Sequence, residues 1–125
     1  MKNLIFLFVL ALFTSTVQSQ SLTEKEITGT WQVVNAIEFG TKPKKAKELV
    51  AAYIDIYPDH NFQLRMKTSK GYEDTFNNAT WSFDEATQTI TTSDGRFPIK
   101  ASKSNDKMIF ELSGTGIKLE VVMPI

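Results

Sequence analysis

The sequence predicts an all-β fold, namely an eight-stranded antiparallel up-and-down barrel with one short helix between the first and second strands. Two observations lead to this fold class. Short runs in which apolar and polar side chains alternate make up most of the chain after residue 25, and this pattern is typical of strands with one buried face. Short turn segments separate nearly all of these runs, and connections this short force neighbouring strands to be antiparallel.

Residues 1–19 are predicted to form a secretory signal peptide that precedes the barrel. Lys2 supplies a positive charge, an unbroken apolar run of ten residues extends from Leu4 to Phe13, and small side chains follow up to Ser19. The apolar run is about half as long as a membrane-spanning helix. Cleavage after Ser19 would leave residues 20–125 as a single barrel domain in a secreted or periplasmic protein, with no stable membrane insertion and a short ragged lead-in at residues 21–24.

Eight alternating runs are expected to form the strands. The third run is the clearest, because six residues from Phe62 to Lys67 alternate without interruption. The apolar positions of the eight runs are, in chain order, Trp31, Val33 and Ile37; Ile54 and Ile56; Phe62, Leu64 and Met66; Trp81 and Phe83; Ile90; Phe97 and Ile99; Met108, Phe110 and Leu112; and Ile117, Leu119, Val121 and Met123. Closing the sheet removes its edges, and eight strands leave an interior for side chains or one small ligand.

One segment has the periodicity of a helix. Ala46, Leu49, Val50 and Tyr53 share the spacing of one helix face, and Pro43 stands near its start, where proline is favoured. We therefore expect a helix over residues 43–52. Because its apolar side chains must be buried, we expect this helix to cover one opening of the barrel and to control access to the interior.

Charge and composition exclude several classes of function. The chain has 14 basic and 14 acidic side chains and no cysteine, so disulfides, thiolate metal sites and a lipid anchor are excluded. Loss of Lys2 with the signal peptide leaves a net charge of −1, which gives no electrostatic reason to expect nucleic-acid binding. A cluster of lysines is either a solvated helix face or a basic rim that attracts an acidic head group or a membrane surface: Lys42, Lys44, Lys45 and Lys47.

The start of the first strand carries a resemblance to a known family. Gly29-Thr30-Trp31 resembles the Gly-x-Trp signature of lipocalins, and the chain from about residue 27 to 123 is similar to the short bacterial lipocalin-like domains, barrels of the calycin type. Those domains also have a strand like Trp81-Ser82-Phe83, followed by a Thr/Ile strand such as residues 89–92. The resemblance implies that Trp31 plugs the barrel floor. The longer lipocalins differ, with an arginine near the chain end, where this chain has Lys118, and a helix after the barrel.

Catalysis is not expected. His60 is the only histidine of the chain and falls in a predicted turn, where a solvated side chain is the ordinary state. No residues are spaced as a nucleophilic set, a metal site or a phosphate-binding loop. Acidic residues such as Asp55 fall in turns or on polar strand faces, where solvation explains them. We therefore expect no enzyme activity, no metal and no cofactor.

The barrel interior remains as the candidate site. Its large side chains are expected to leave only a small apolar pocket near the mouth, with Asn35 and Thr92 as inward polar groups. The predicted ligand-binding residues are Asn35, Ile54, Leu64, Met66, Trp81, Phe83, Thr92, Phe97 and Phe110. These observations favour an exported, non-catalytic protein that binds a small apolar ligand. The alternative is a protein-interaction module, such as an inhibitor of a secreted protease, in which the barrel is a scaffold.

We predict that the exported protein starts close to Gln20, because residues 1–19 have the charge, apolar length and small terminal side chains that a signal peptidase recognises. N-terminal sequencing of protein recovered from outside the cytoplasm measures this directly. Exported material that begins at Met1 would contradict the prediction.

Overall fold

The computed structural model describes residues 21–74, 79–93 and 98–124. The predicted signal peptide, residues 1–19, and the predicted ligand-binding residue Phe97 lie outside the described residues. No helix within those three described ranges is long and apolar enough to cross a bilayer.

The described residues form nine strands and two short helices. The strands are β1 (Gly29–Phe39), β2 (Tyr53–Ile56), β3 (Asn61–Thr68), β4 (Gly71–Asp74), β5 (Ala79–Asp84), β6 (Thr89–Thr92), β7 (Ile99–Ser104), β8 (Lys107–Leu112) and β9 (Ile117–Val122). The helices are α1 (Glu24–Ile27), which precedes β1, and α2 (Pro43–Leu49), which connects β1 to β2.

Eight of these strands close into an antiparallel barrel. Around the ring the order is β1-β2-β3-β5-β6-β7-β8-β9, and β1 closes it by pairing with both β2 and β9. β5 pairs with the start of β3, whereas β4 pairs with its end, from Arg65 to Thr68. The predicted all-β barrel of eight strands, with one short helix between the first two, is confirmed. β4 was not predicted, because Gly71-Tyr72-Glu73-Asp74 has no apolar alternation and all four residues are exposed.

The two ends of the barrel are closed by different segments. We call the end that carries α2 the mouth and the end that carries α1 the base. Connections alternate between the two ends along the chain, so the turn after β2, the turn after β5 and the turn after β7 lie at the base. The turns after β3 and β8 lie at the mouth.

A bulge in β1 changes which side chains face inward. Pairing with β9 shifts register between Val33 and Asn35 and again between Ala36 and Glu38. Trp31 and Val33 are therefore buried as predicted, but the next inward residue is Ala36. Ile37, which was expected to line the interior, is exposed. Strict two-residue alternation failed here because a bulge inserts one residue without a partner.

Trp31 fills the base of the barrel. Only 6% of its side chain is exposed, and its Nε1 donates a hydrogen bond to the backbone oxygen of Ile27 at 2.8 Å. The edge of its ring meets Phe110, with the two ring centres 5.8 Å apart. The expected plug at the barrel floor is thus present, and α1 fixes its orientation.

The segment before β1 is folded onto the base, contrary to the ragged lead-in that we expected. Leu22 is buried, its N–H donates to Oε1 of Gln88 at 2.6 Å, and its carbonyl accepts from Nε2 of Gln88 at 2.9 Å. The backbone and hydroxyl of Thr23 donate to Glu26 at the start of α1, and these hydrogen bonds lower the pKa of Glu26. The segment was missed because its partner, Gln88, lies 66 residues away.

We predict that Trp31→Ala lowers the free energy of unfolding by about 3–5 kcal/mol, the usual range for emptying a buried aromatic site. Denaturant titration followed by circular dichroism measures the loss. Val34→Ala is the matched control, because Val34 is exposed on the same strand and should cost less than about 0.5 kcal/mol. A loss below about 1 kcal/mol for Trp31→Ala would show that the base does not depend on this ring.

Candidate functional site

An apolar cavity lies inside the mouth half of the barrel, beneath α2. Its lining combines one side chain of α2 with side chains from strands around the ring: Leu49, Ile54, Phe62, Leu64, Thr92, Ile99, Leu112 and Leu119. Among these residues Thr92 supplies the one polar side chain. A lining of this kind attracts apolar molecules and excludes charged ones, since it offers no charged group to replace the lost water.

Large side chains fill most of this cavity. The centre of a water molecule can move through only about 20 Å³ of it, which is room for about one water. The sequence predicted a small apolar pocket near the mouth, and this cavity has those properties. A ligand larger than water can occupy it only after a lining side chain moves.

Leu49 is the lining residue that belongs to the helical cover. Of the seven residues in α2, Ala46 and Leu49 have buried side chains. Pro43 starts the helix, as expected, but the helix ends at Leu49 rather than at residue 52. Val50 has extended backbone geometry and is exposed, so the predicted apolar face is two residues wide rather than four.

Backbone contacts fix both ends of the segment that carries α2. Before the helix, Gly40 has a positive φ of 63°, and a Cβ at this position would collide with the backbone oxygen of Thr115. Only glycine allows that approach. After the helix, Ala51 donates to Val33 and Ala52 accepts from Val33, at 2.8 and 2.9 Å. Backbone contacts therefore anchor the segment at both ends, and the helix itself buries two side chains, Ala46 and Leu49.

Three of the predicted ligand-binding residues line this cavity: Ile54, Leu64 and Thr92. Met66 and Phe83 are partly buried and pack against the core without reaching the lining. The strand pattern therefore identified the correct faces of β2, β3 and β6.

The other predicted ligand-binding residues lie elsewhere. Trp81 is buried, donates from Nε1 to the backbone oxygen of Tyr57 at 2.9 Å and stacks on His60. Phe110 is fully buried against Trp31. The side chain of Asn35 is exposed, so its predicted inward direction was wrong, because the bulge in β1 turns this residue outward.

A second, larger cavity opens at the base. It offers about 380 Å³ to the centre of a water molecule. Apolar side chains and three charged ones line it: Leu22, Glu26, Trp31, Lys103, Asp106, Met108, Val121, Val122 and Met123. The sequence did not predict this cavity, because its walls come from α1, the β7–β8 turn and the end of β9, which only the closed barrel brings together.

A buried ion pair lies on the outer face of the barrel. Asp55 alternates with inward-facing Ile54 and Ile56, yet it is 0% exposed. Arg65 donates from Nε to Oδ2 at 2.7 Å and from Nη2 to Oδ1 at 3.0 Å, and the Thr30 hydroxyl donates to Oδ1 at 2.7 Å. The hydrogen bonds to Asp55 raise the pKa of Arg65. We had expected solvation to explain Asp55, and this expectation was wrong, because paired hydrogen bonds take the place of water around its carboxylate.

Tyrosine rings surround this ion pair. The guanidinium of Arg65 lies 4.8 Å from the ring centre of Tyr53, and Tyr53 meets Tyr72 edge-on at 5.0 Å. Tyr57, which directly follows the last residue of β2, donates a hydrogen bond from its hydroxyl to Gln63 at 3.1 Å. We call Tyr53, Tyr57, Tyr72 and Arg65 the tyrosine face. All three tyrosines of the chain belong to it, and their clustering within 20 positions is the signal for this face in the sequence.

The ring of His60 contacts both β5 and α1. Nδ1 of His60 donates to the backbone oxygen of Trp81 at 3.1 Å, and Nε2 lies 3.8 Å from Oε2 of Glu24. No group of three or more His, Asp or Glu side chains among the described residues could hold a metal ion. His60 thus connects the β2–β3 turn to β5 and α1.

Comparison with protein-family models, with curated proteins and with solved structures finds no match to this chain. The assignment of the fold therefore rests on the strand pairing alone. The closed eight-stranded antiparallel barrel is consistent with a calycin-like barrel.

We predict that Arg65→Ala lowers the free energy of unfolding by about 3 kcal/mol, the lower end of the range for breaking a buried ion pair. The lower end applies because the Arg65 side chain is itself 36% exposed. The cause is the Asp55 carboxylate, which would stay buried with Thr30 as its remaining donor.

A double-mutant cycle with Asp55→Ala isolates the interaction. We expect the two single variants together to lose more free energy of unfolding than the double variant does. The difference should be at least about 1.5 kcal/mol. Additive losses would show that the two side chains do not stabilise each other.

Proposed function

We propose that this protein is an exported, lipocalin-like barrel that binds a small apolar ligand without catalysing a reaction. The apolar cavity beneath α2 is the observation that carries the proposal. Eight-stranded barrels have an interior suited to one small ligand, and this lining would recognise it by shape and apolar contact. Gly29-Thr30-Trp31 at the start of β1, with Trp31 filling the base, supports the lipocalin-like assignment.

The size of the cavity restricts the class of ligand. Because the cavity holds about one water, the ligand is expected to be narrow and flexible, such as a short alkyl chain, and to displace Leu49 as it enters. Movement of α2 is the least costly route, since the helix buries only two side chains, Ala46 and Leu49. The predicted signal peptide and the absence of cysteine support a secreted or periplasmic location.

A second candidate function is protein interaction through the tyrosine face. Tyr57 and Tyr72 are exposed beside a guanidinium whose position is fixed by Asp55, and tyrosine and arginine are enriched at the energetic centres of protein interfaces. In this alternative, which includes inhibition of a secreted protease, the nearly filled interior serves only as a scaffold.

We predict that Leu49→Asp raises both the association and the dissociation rates of a fluorescent apolar probe, because the change weakens the contact that keeps α2 closed over the cavity. Stopped-flow fluorescence measures the rates, and circular dichroism checks that the barrel remains folded. Val50→Asp is the matched control: it adds the same charge at the next, exposed position and should leave the rates unchanged.

Leu64→Trp tests the location of binding. The larger side chain would fill the cavity and should abolish probe binding, whereas Tyr72→Ser on the tyrosine face should not affect it. If neither the original protein nor Leu49→Asp binds the probe, the interior is a packed core, and the interaction module becomes the better account.

A further inference from the structure

The mouth of the barrel carries a concentrated positive charge. Four lysines stand on α2 and just before it, and all four side chains are exposed: Lys42, Lys44, Lys45 and Lys47. Glu48 is the acidic residue of this helix. Glu38, near the end of β1, is paired with Lys118, whose Nζ lies 3.6 Å from its Oε2. The lysines of α2 are thus available to an external anion.

Apolar side chains are exposed beside these lysines. Phe39 is 44% exposed at the end of β1, and Val50 is 37% exposed at the end of α2. Nζ of Lys47 lies 6.0 Å from the ring centre of Phe39, so charge and apolar surface are in contact. We call Phe39, Val50 and the four lysines the mouth patch.

The charges of the whole barrel are arranged along its axis. With β4, which lies outside the ring, the described connections at the mouth hold five lysines and three acids: Lys42, Lys44, Lys45, Lys47, Lys70, Glu48, Glu73 and Asp74. The described N-terminal segment and connections at the base hold one lysine and five acids: Lys25, Glu24, Glu26, Asp59, Glu85 and Asp106. A chain with almost no net charge therefore has a positive mouth and a negative base, and an anionic surface would orient it with the mouth forward.

We infer that the mouth patch docks on an anionic phospholipid bilayer, with the lysines at the head groups and Phe39 and Val50 in the interfacial layer. Two features favour a bilayer over a soluble acidic partner. Exposed apolar side chains next to lysines are the composition of surfaces that lie in the membrane interface. The negative base would point away from the lipid, where repulsion is weakest.

Docking in this orientation places α2 against the lipid. The inference does not depend on the proposed ligand, because the mouth patch lies on the outside of α2, whereas the cavity lies beneath Leu49. A failure to dock would therefore leave ligand binding untouched, and a packed interior would leave docking untouched.

Co-sedimentation of the exported protein with vesicles tests the inference. We expect binding to phosphatidylcholine vesicles that contain about 30% phosphatidylglycerol and little binding to phosphatidylcholine alone, since about fivefold in affinity comes from each lysine near an anionic surface. Lys44→Gln with Lys47→Gln should weaken binding by about 25-fold. The matched control, Lys25→Gln with Lys107→Gln, removes the same charge at the base, where both lysines are exposed, and should have little effect. Equal losses in the two double variants would overturn the inference.

Phe39→Ser separates a bilayer from a soluble polyanion. Removal of the ring should weaken vesicle binding by about tenfold, with no change in the thermal unfolding temperature. Unchanged vesicle binding by Phe39→Ser, together with release of the protein from vesicles by soluble polyglutamate at equal charge concentration, would assign the patch to an acidic protein and overturn the bilayer inference.

Discussion

Closure of the barrel depends on β1, which pairs with two partners at once. Its first residues, Gly29 to Gln32, pair with β2, and Gln32 to Phe39 pair with β9. No other described strand both closes the ring and leads into the helical cover. The bulge after Val33 lets one strand perform both tasks, because it increases the local twist and re-aims the side chains that follow. The position of α2 over the mouth thus follows from the path of β1.

The two ends of the barrel are sealed with unequal strength. At the base, a buried tryptophan, the hydrogen bonds between Leu22 and Gln88 and the contacts of His60 bind α1 to several strands. At the mouth, two buried side chains of α2 and the backbone hydrogen bonds that flank the helix hold it to the barrel. Local opening takes the path with the fewest buried contacts, so we expect the mouth to open more readily than the base. The weak closure, the apolar cavity and the basic surface therefore occur at the same end.

Local patterns were sufficient for the fold but not for the details of the site. Alternation in runs such as Phe62 to Lys67 placed Ile54, Leu64 and Thr92 on the inner face, because burial of one sheet face has a period of two. The bulge that exposes Asn35 cannot be recognised from the alternation of apolar and polar residues. Two other features, the docking of Leu22 on Gln88 and the pairing of Asp55 with Arg65, join residues that only the folded barrel brings together. Single-chain periodicity carries no information about such contacts.

The ion pair between Asp55 and Arg65 has a consequence for folding fidelity. β2 has only four residues, and two isoleucines flank Asp55. A shift of β2 by one residue against its neighbours would turn all of its side chains to the opposite face. Asp55 would then enter the apolar interior without Arg65 or Thr30, and the isoleucines would face water. Because burial of an unpaired carboxylate costs roughly several kcal/mol, the misaligned barrel is strongly disfavoured. One charged residue thus selects a single alignment for a strand too short to specify it by apolar contacts alone.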